Sequence, residues 1–445
     1  MVMQTLHIGI DDTDSPNRGC TTYVAALLAE RLRGIGATFI DYPNLIRLNP
    51  NVPWKTRGNG AVCLRIMCEE DTITEIKEVA IDTVEENSDM GYEGTDPGIV
   101  FLAEKEIPEE IENFSAKAIT GILNLKEAFK IIKKFRVEAV GFKKARGIIG
   151  ALAAVGETLK EDHTFELIAY RKPENYGQRR RIDLNSVMEM DRATFPETFN
   201  NVDPETGRIL ITPRGPDPIL FGVRGETPEI VKKAFQMIRN LEPIERWIIF
   251  RTNHGTDAHL KRIESLSQIK PYNPVIATGK VASKPMVIPR RHVIFTIKDG
   301  SAEVHCAAYE PTGDLRKVAA KLIEGDIVEV YGGVRPPSNG RPITINLEKL
   351  RVLRLAPLIV YQNPPCPTCG RRLKTMGKNK GFRCEKCGSK HPNLSKVAIE
   401  LKRDLSEGLY ITSPRSQRHL TKPLTRYGRE KKNFTVELIP NWCHP

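Results

Sequence analysis

The sequence predicts a multidomain α+β protein: an α/β front half, then an OB-fold β-barrel, then a zinc ribbon. Three observations predict it. Helix-period and strand-period segments are interspersed over residues 1–265. Five strand-like runs with one helix between the third and fourth fill residues 272–356, the element order of an OB-fold. Four cysteines spaced C-x2-C-x14-C-x2-C lie within residues 360–420, ahead of a basic tail over 421–445. A chain of 445 residues has room for two to four domains at roughly 100–200 residues each. With 40% hydrophobic and 27% charged residues, wholesale disorder and a collagen-like fibre are excluded.

Taken in order, LHIGI (6–10) reads as a strand and DDTDSPNRGC as a polar loop cut by Pro and Gly. TTYVAALLAERLRGIG follows with helical period and ends on Gly. Residues 39–68 alternate apolar and polar residues and read as strands and loops. Residues 71–92 and 108–135 read as amphipathic helices, and 141–159 as a Gly-bearing loop running into a small-residue helix. TFELIAYR (164–171) is a strand. Residues 172–227 carry Pro, Arg, Asn and Thr with short strand signals only. Residues 229–241 are a helix, and 245–260 a strand and polar loop. The barrel strands are VIATGKVA, RHVIFTIKD, SAEVHCAAYE, GDIVEVYGGV and ITINLEKLRVLRL, with helix DLRKVAAKLI before the fourth. Residues 405–445 are basic and turn-rich, with an aromatic cluster from Phe434 to Trp442, and are expected to be only partly ordered.

Charge separates the two ends. Residues 1–100 hold 8 Lys/Arg against 16 Asp/Glu, whereas 351–445 hold 20 against 6. The mean of +12 thus hides an acidic front and a basic back, and the latter points to a polyanionic partner.

Three carboxylates in four residues, Asp11, Asp12 and Asp14, repel one another unless a cation lies among them. Mg²⁺ prefers one or two carboxylates plus phosphate oxygens, so this loop suits Mg–ATP. Thr21 and Thr22 open the next helix near its positive dipole end, where a phosphate can dock or a hydroxyl accept a phosphoryl group. The plain alternative is a helix-capping loop. No G-x4-G-K-[ST] motif is present, so the phosphate cradle must come from elsewhere. Two basic, Gly-bearing loops offer one: Lys55 and Arg57 in KTRGNG, and Lys143, Arg146 and Gly147 in KKARG. Two more loops mix polar side chains with breakers, PRGPDP (213–218) and TNHGTDAH (252–259); His254 and His259 read first as ordinary loop residues.

Cys366, Cys369, Cys384 and Cys387 form two knuckles suited to tetrahedral zinc, with Gly370 and Gly388 where each turn needs positive φ. A closed four-thiolate site leaves no position for catalysis. The intervening RRLKTMGKNKGFR is basic with no acidic residue, suited to phosphates. The other five cysteines show no framework spacing. With no secretory signal pattern and no apolar run of ~18 residues, a reduced, cytoplasmic location and no membrane contact are expected.

IGIDDTDSPNRGCTTYV, LIRLNPNVPWKTRGNGAV, RGIIGALAAVG, RGPDPILFGVRGE and FRTNHGTDAHL, followed by the barrel and CPTCG, resemble the archaeal tRNA(Ile) 2-agmatinylcytidine synthetases over roughly residues 5–420. The resemblance implies a kinase-like and a ferredoxin-like domain in the front half. It implies ATP-dependent joining of agmatine to C2 of the wobble cytidine in a CAU anticodon, through a phosphorylated C2 oxygen, so that the tRNA reads AUA. It also implies AMP formation and a phosphorylated threonine, matching Thr21, with Thr22 beside it. On this reading Asp11, Asp12 and Asp14 carry Mg–ATP, and Lys55, Arg57 and Arg146 neutralise phosphates. Asp217 and Asp257 are agmatine candidates by type and location, and the barrel and ribbon grip the tRNA. Arg18 in the spacer before Cys20 places an extra cation near the phosphate site. The competing readings are a single-strand nucleic-acid binding protein of the OB-plus-zinc kind, and a metal-dependent nucleic-acid kinase, ligase or nuclease. A ligase would need a K-x-D-G site, which is lacking.

Overall fold

The computed structural model describes residues 2–338, 340–432 and 436–445; Phe434 of the expected aromatic cluster lies outside them. Strand Met3–Asp11 is central because its alternate residues Leu6, Ile8 and Ile10 are all buried. It pairs antiparallel with Gly60–Glu69 on one side and Gly98–Leu102 on the other, with Ile10 opposite both Val62 and Ile99. Helix Thr21–Gly34 packs on one face. Helices Glu109–Thr120 and Gly147–Gly156 cover the other.

One sheet joins the two front domains. Strand Asn44–Arg47 pairs antiparallel with Gly60–Glu69, and parallel with Ile244–Thr252, which leads to Thr164–Arg171 and Ile219–Gly225. The two parts of the front half are therefore welded edge to edge, with a continuous hydrophobic cluster beneath the seam. Strand Thr164–Arg171 is buried at every position, which explains its nearly continuous apolar sequence.

Two helical expectations change. The span 108–135 is two helices, Glu109–Thr120 and Leu125–Phe135, not one. Gly121 is extended, and Asn124 starts the second helix through a capping box with Glu127. Leu184–Thr194 is a helix where only short strand signals are legible. Asp183 caps it by accepting from the Asn185 and Ser186 amides, and Val187 and Met190 anchor it.

The barrel strands are Pro274–Val281, His292–Lys298, Glu303–Ala308, Ile327–Arg335 and Thr344–Arg354, with helix Asp314–Ala320 between the third and fourth. The third strand pairs parallel with the fifth, and the first pairs with both the second and the fourth, which closes the barrel. Val275, Phe295, Val330 and Leu350 fill it. A two-stranded arm, Leu358–Gln362 with Val397–Leu401, carries the cysteine ribbon beyond the barrel.

The described residues of the C-terminal segment are packed, contrary to the expectation of partial order. Gly408–Ile411 adds to the fifth barrel strand. Leu420 and Arg426 are buried in the front half, and Cys443–His444 pairs with Ile244–Thr252. Its basic residues look solvated in sequence but find carboxylates in space. Arg426 donates to Glu226 at 2.7 Å and Asp162 at 2.8 Å, and Lys431 to Glu226 at 2.7 Å. Among the described residues no helix is long and apolar enough to cross a membrane.

Candidate active site

A cleft of about 480 Å³ opens where the two halves of the shared sheet meet, lined by residues from 11 to 419. Its floor is the strand-to-helix turn after Asp11. Asp12 has φ 61°, an αL conformation that Asp tolerates better than most residues. That kink aims Asp11, Asp12 and Asp14 at one cleft.

Asp11 is wedged against the Gly-rich helix. A Cβ on Gly150 would stand 1.8 Å from its Oδ2, so the helix approaches this carboxylate only because Gly150 has no side chain. Burial raises its pKa well above the usual carboxylate range, and the neighbouring Asp12 raises it further. Burial also raises Asp12 and Asp14, against opposing arginines. Asp12 accepts from Arg146 at 3.0 Å and from the Asp96 amide at 3.3 Å. Asp14 accepts from Arg57 Nε at 2.9 Å and from a terminal guanidinium nitrogen at 2.6 Å. Among the described residues the ion pairs of this loop go to Asp12 and Asp14, and none to Asp11. The three are hard oxygen donors of the kind a divalent cation takes, but Arg146 and Arg57 hold two of them apart, and among the described residues only the ribbon cysteines bring three or more ligand atoms together.

Thr21 and Thr22 are buried at the start of their helix and line the cleft. Thr13 Oγ1 donates to Thr21 Oγ1 at 3.0 Å, which fixes that hydroxyl, while Thr22 Oγ1 is 3.0 Å from the Cys20 thiol. The geometry singles out Thr21 as the hydroxyl tied to the acidic loop.

The remaining candidates separate. Lys55, Arg57 and Arg146 line the cleft, and so does Asp217, held by Arg57 at 3.2 Å and Arg180 at 3.1 Å. Gly147 lies beneath them, its amide donating to the Asp96 carbonyl at 2.8 Å. Lys143 is exposed and donates to the Tyr92 carbonyl, outside the cleft lining. Asp257 sits at the junction with the barrel, where it pairs with Lys349 and accepts from the Lys422 amide at 2.7 Å. Arg18 points to Asp89 at 2.9 Å.

Sequence reasoning misses Glu166, Arg47, Arg224 and His419, which form one wall. Arg224 donates to Glu166 at 3.0 Å, and Arg47 is 3.7 Å away. Burial would raise the Glu166 pKa, but Arg224, His254 and Arg47 outweigh it and hold the carboxyl well below its ordinary range. Burial pushes His254 down to about 3, and His419, whose ring packs edge-on at 4.9 Å, well below its usual value. Both imidazoles are therefore neutral at pH 7. The available signal is a lone Glu inside the buried strand TFELIAYR, which needs a cation partner.

The four ribbon cysteines hold their Sγ atoms within 4.8 Å of one another. A tetrahedron with Zn–S of about 2.3 Å has S···S edges near this range, so the set fits zinc. Gly370 and Gly388 have φ 72° and 76°, and donate back to the carbonyls of Cys366 and Cys384.

Four family models match the chain: a TiaS TCKD domain over 7–144, a TiaS FLD domain over 145–259, an OB-fold nucleic acid binding domain over 275–353, and a TiaS C-terminal zinc ribbon domain over 363–405. The isoleucine-tRNA 2-agmatinylcytidine synthetase TiaS of Methanocaldococcus jannaschii is 45% identical over 95% of this chain and 99% of its own. The Pyrococcus horikoshii enzyme is 45% identical over 96% and 98%. A crystal structure of TiaS in complex with isoleucine tRNA and ATP superposes with a TM-score of 0.87 at 41% identity, covering 95% of this chain and 97% of that one. A complex of TiaS with isoleucine tRNA, AMPCPP and agmatine gives 0.84 at 38% identity with the same coverage. The chain belongs to the TiaS family of isoleucine-tRNA 2-agmatinylcytidine synthetases.

Proposed function

We propose that the protein attaches agmatine, at the expense of ATP, to C2 of the wobble cytidine in the CAU anticodon of isoleucine tRNA. The observation that carries this reading is the cleft itself. Three half-buried carboxylates, Arg57, Arg146 and a fixed threonine hydroxyl meet in one cleft, on a chain that also carries a barrel matching an OB-fold nucleic acid binding domain. The C2 oxygen is a poor leaving group. Phosphorylation makes it part of a phosphate ester; the primary amine of agmatine then bonds to C2, loses a proton, and phosphate departs. Arg57 and Arg146 are set to exchange their aspartates for phosphate oxygens and spread the charge of the transferring group. Magnesium at Asp11, Asp12 and Asp14 would neutralise the phosphates and the loop together. Thr21, whose hydroxyl accepts from Thr13 of the acidic loop, would take a phosphoryl from ATP. Asp217 offers a carboxylate to the guanidinium of agmatine. The Cys366, Cys369, Cys384 and Cys387 ribbon, loaded with zinc, and the barrel would hold the tRNA.

A single-strand binding protein would account for the barrel and ribbon, but it leaves this cleft without a role. ATP consumption separates the two: the proposed enzyme consumes ATP in proportion to added CAU tRNA and agmatine. ATP turnover indifferent to the tRNA would sink the proposal.

A further inference from the structure

Trp54 lines the cleft with its indole only half buried. It is 48% exposed, and no ring or cation pair involves it among the described residues, although pairs engage Trp247 and Trp442 in the interior. It is also the single Phe, Tyr or Trp lining the cleft among the described residues. An aromatic ring left half in water on an otherwise well-packed protein loses hydrophobic stabilisation that a ligand can recover.

The loop that carries Trp54 is held firmly on both sides. The Asn49 amide side chain donates to the Gly121 carbonyl at 2.8 Å, and the Asn59 side chain donates back to the Asn49 carbonyl at 2.7 Å. On the catalytic side, Arg57 ends the loop on Asp14. On the barrel side, Asn49 also donates to the Tyr272 carbonyl at 3.1 Å, and Asn51 accepts from Arg418 at 2.5 Å. Asn51 also lies against Gly333 of the fourth barrel strand, where a Cβ would stand 2.1 Å from its Oδ1. The ring is thus carried on a braced loop between the barrel and the phosphate-binding floor. Leu48, Val52, Ile122 and Leu123 supply apolar lining to the same cleft.

A base reaches this chemistry only after leaving the anticodon stack. Enzymes that act on a base extrude it and read it between aromatic or apolar side chains. We propose that Trp54 is the stacking platform that receives the extruded wobble cytidine, making it a positioning residue that sets the C2 oxygen toward the phosphoryl donor. This rests on the function proposed above.

Fluorescence of the full-length protein tests it, because Trp54 is the one strongly exposed tryptophan of three. A CAU anticodon-arm RNA is titrated with AMPCPP present, against the same RNA abasic at the wobble position and against AMPCPP alone. The CAU arm should quench a component of the emission that is missing in Trp54→Phe. The abasic arm, bound as shown by competition with a labelled arm, should not quench it. Quenching by AMPCPP alone, equal quenching by the abasic arm, or an unchanged quench in Trp54→Phe would each overturn the assignment. In turnover, Trp54→Ala should lower kcat/KM for tRNA roughly tenfold or more with KM for ATP unchanged, and Trp54→Phe should recover most of it. A purely structural role would move both KM values together. If the wild type adds no agmatine under ATP, the proposed function fails instead, whatever the fluorescence shows.

Discussion

The cysteine ribbon and the acidic cleft are opposite solutions to holding charge. The ribbon gathers four thiolates from one short stretch, on an arm whose strands are largely exposed, and its turns are local. The cleft gathers three carboxylates from one loop, but its other charged and titratable groups come from far along the chain: Arg57, Arg146, Asp217, Arg224 and His419. The ribbon needs one ion to be complete. The cleft is already neutralised in part by its arginines, which pair with Asp14 and Asp12 and, on the proposed function, would trade carboxylate for phosphate. A local site is stable as a unit; a dispersed site reports on whether the whole front half is assembled.

The sharpest way to break this contrast is Asp12→Ala. Removing the carboxylate between Arg146 and the Asp96 amide should abolish ATP-dependent modification, a loss of at least ~1000-fold. tRNA affinity by filter binding should stay nearly intact. Residual modification near the wild-type rate would show that the loop does not hold ATP.

Next in size is the seam between the tail and the front half. Arg426→Ala removes a fully buried guanidinium from Asp162 and Glu226 and leaves them only Lys422 and Lys431 as cation partners. It should cost about 3–5 kcal/mol in denaturant unfolding. A change within error would mean the C-terminal segment is not part of the cooperative core.

Cys366→Ser should act on the ribbon alone. tRNA affinity should fall roughly 10–100-fold through loss of its phosphate contacts, with ATP binding retained. Loss of Mg–ATP binding with tRNA affinity intact would contradict the division of labour.

The smallest effect concerns the barrel junction. His259 and Thr421 reach Glu348 at 3.0 and 2.8 Å. Burial works to raise Glu348, but His259, Arg418 and Thr421 lower it from 4.5 to about 2. A depressed carboxyl adds stability that is complete above its unfolded value of 4.5 and is lost as pH falls toward 2. Glu348→Gln should therefore destabilise the protein at neutral pH more than in acid near the folded value, measured by thermal melts. An equal loss at both would remove the ion pair from the account.

Legibility follows the same divide. The ribbon is readable because its ligands and its two glycines share one short stretch; both glycines have the positive φ that the turn demands. The barrel is readable because strand period and helix placement are local. The acidic loop is readable as a cluster, but not its partners. Arg47 and Glu166 sit in strands where a charged residue passes for a solvent-facing one, and only the seam between Asn44–Arg47 and Ile244–Thr252 brings them together. His419 is invisible because the tail's composition suggests a solvated extension, whereas Leu420, Arg426 and Trp442 dock it against the front half. Helix Leu184–Thr194 escapes because its apolar face is small and its neighbours are breakers.

The central claim is tested most directly by mass spectrometry of a CAU-anticodon isoleucine tRNA transcript incubated with the protein, ATP and agmatine. A wobble nucleoside heavier by agmatine minus water should form, and only when ATP is present. An unmodified wobble cytidine, or the same product formed without ATP, would contradict it.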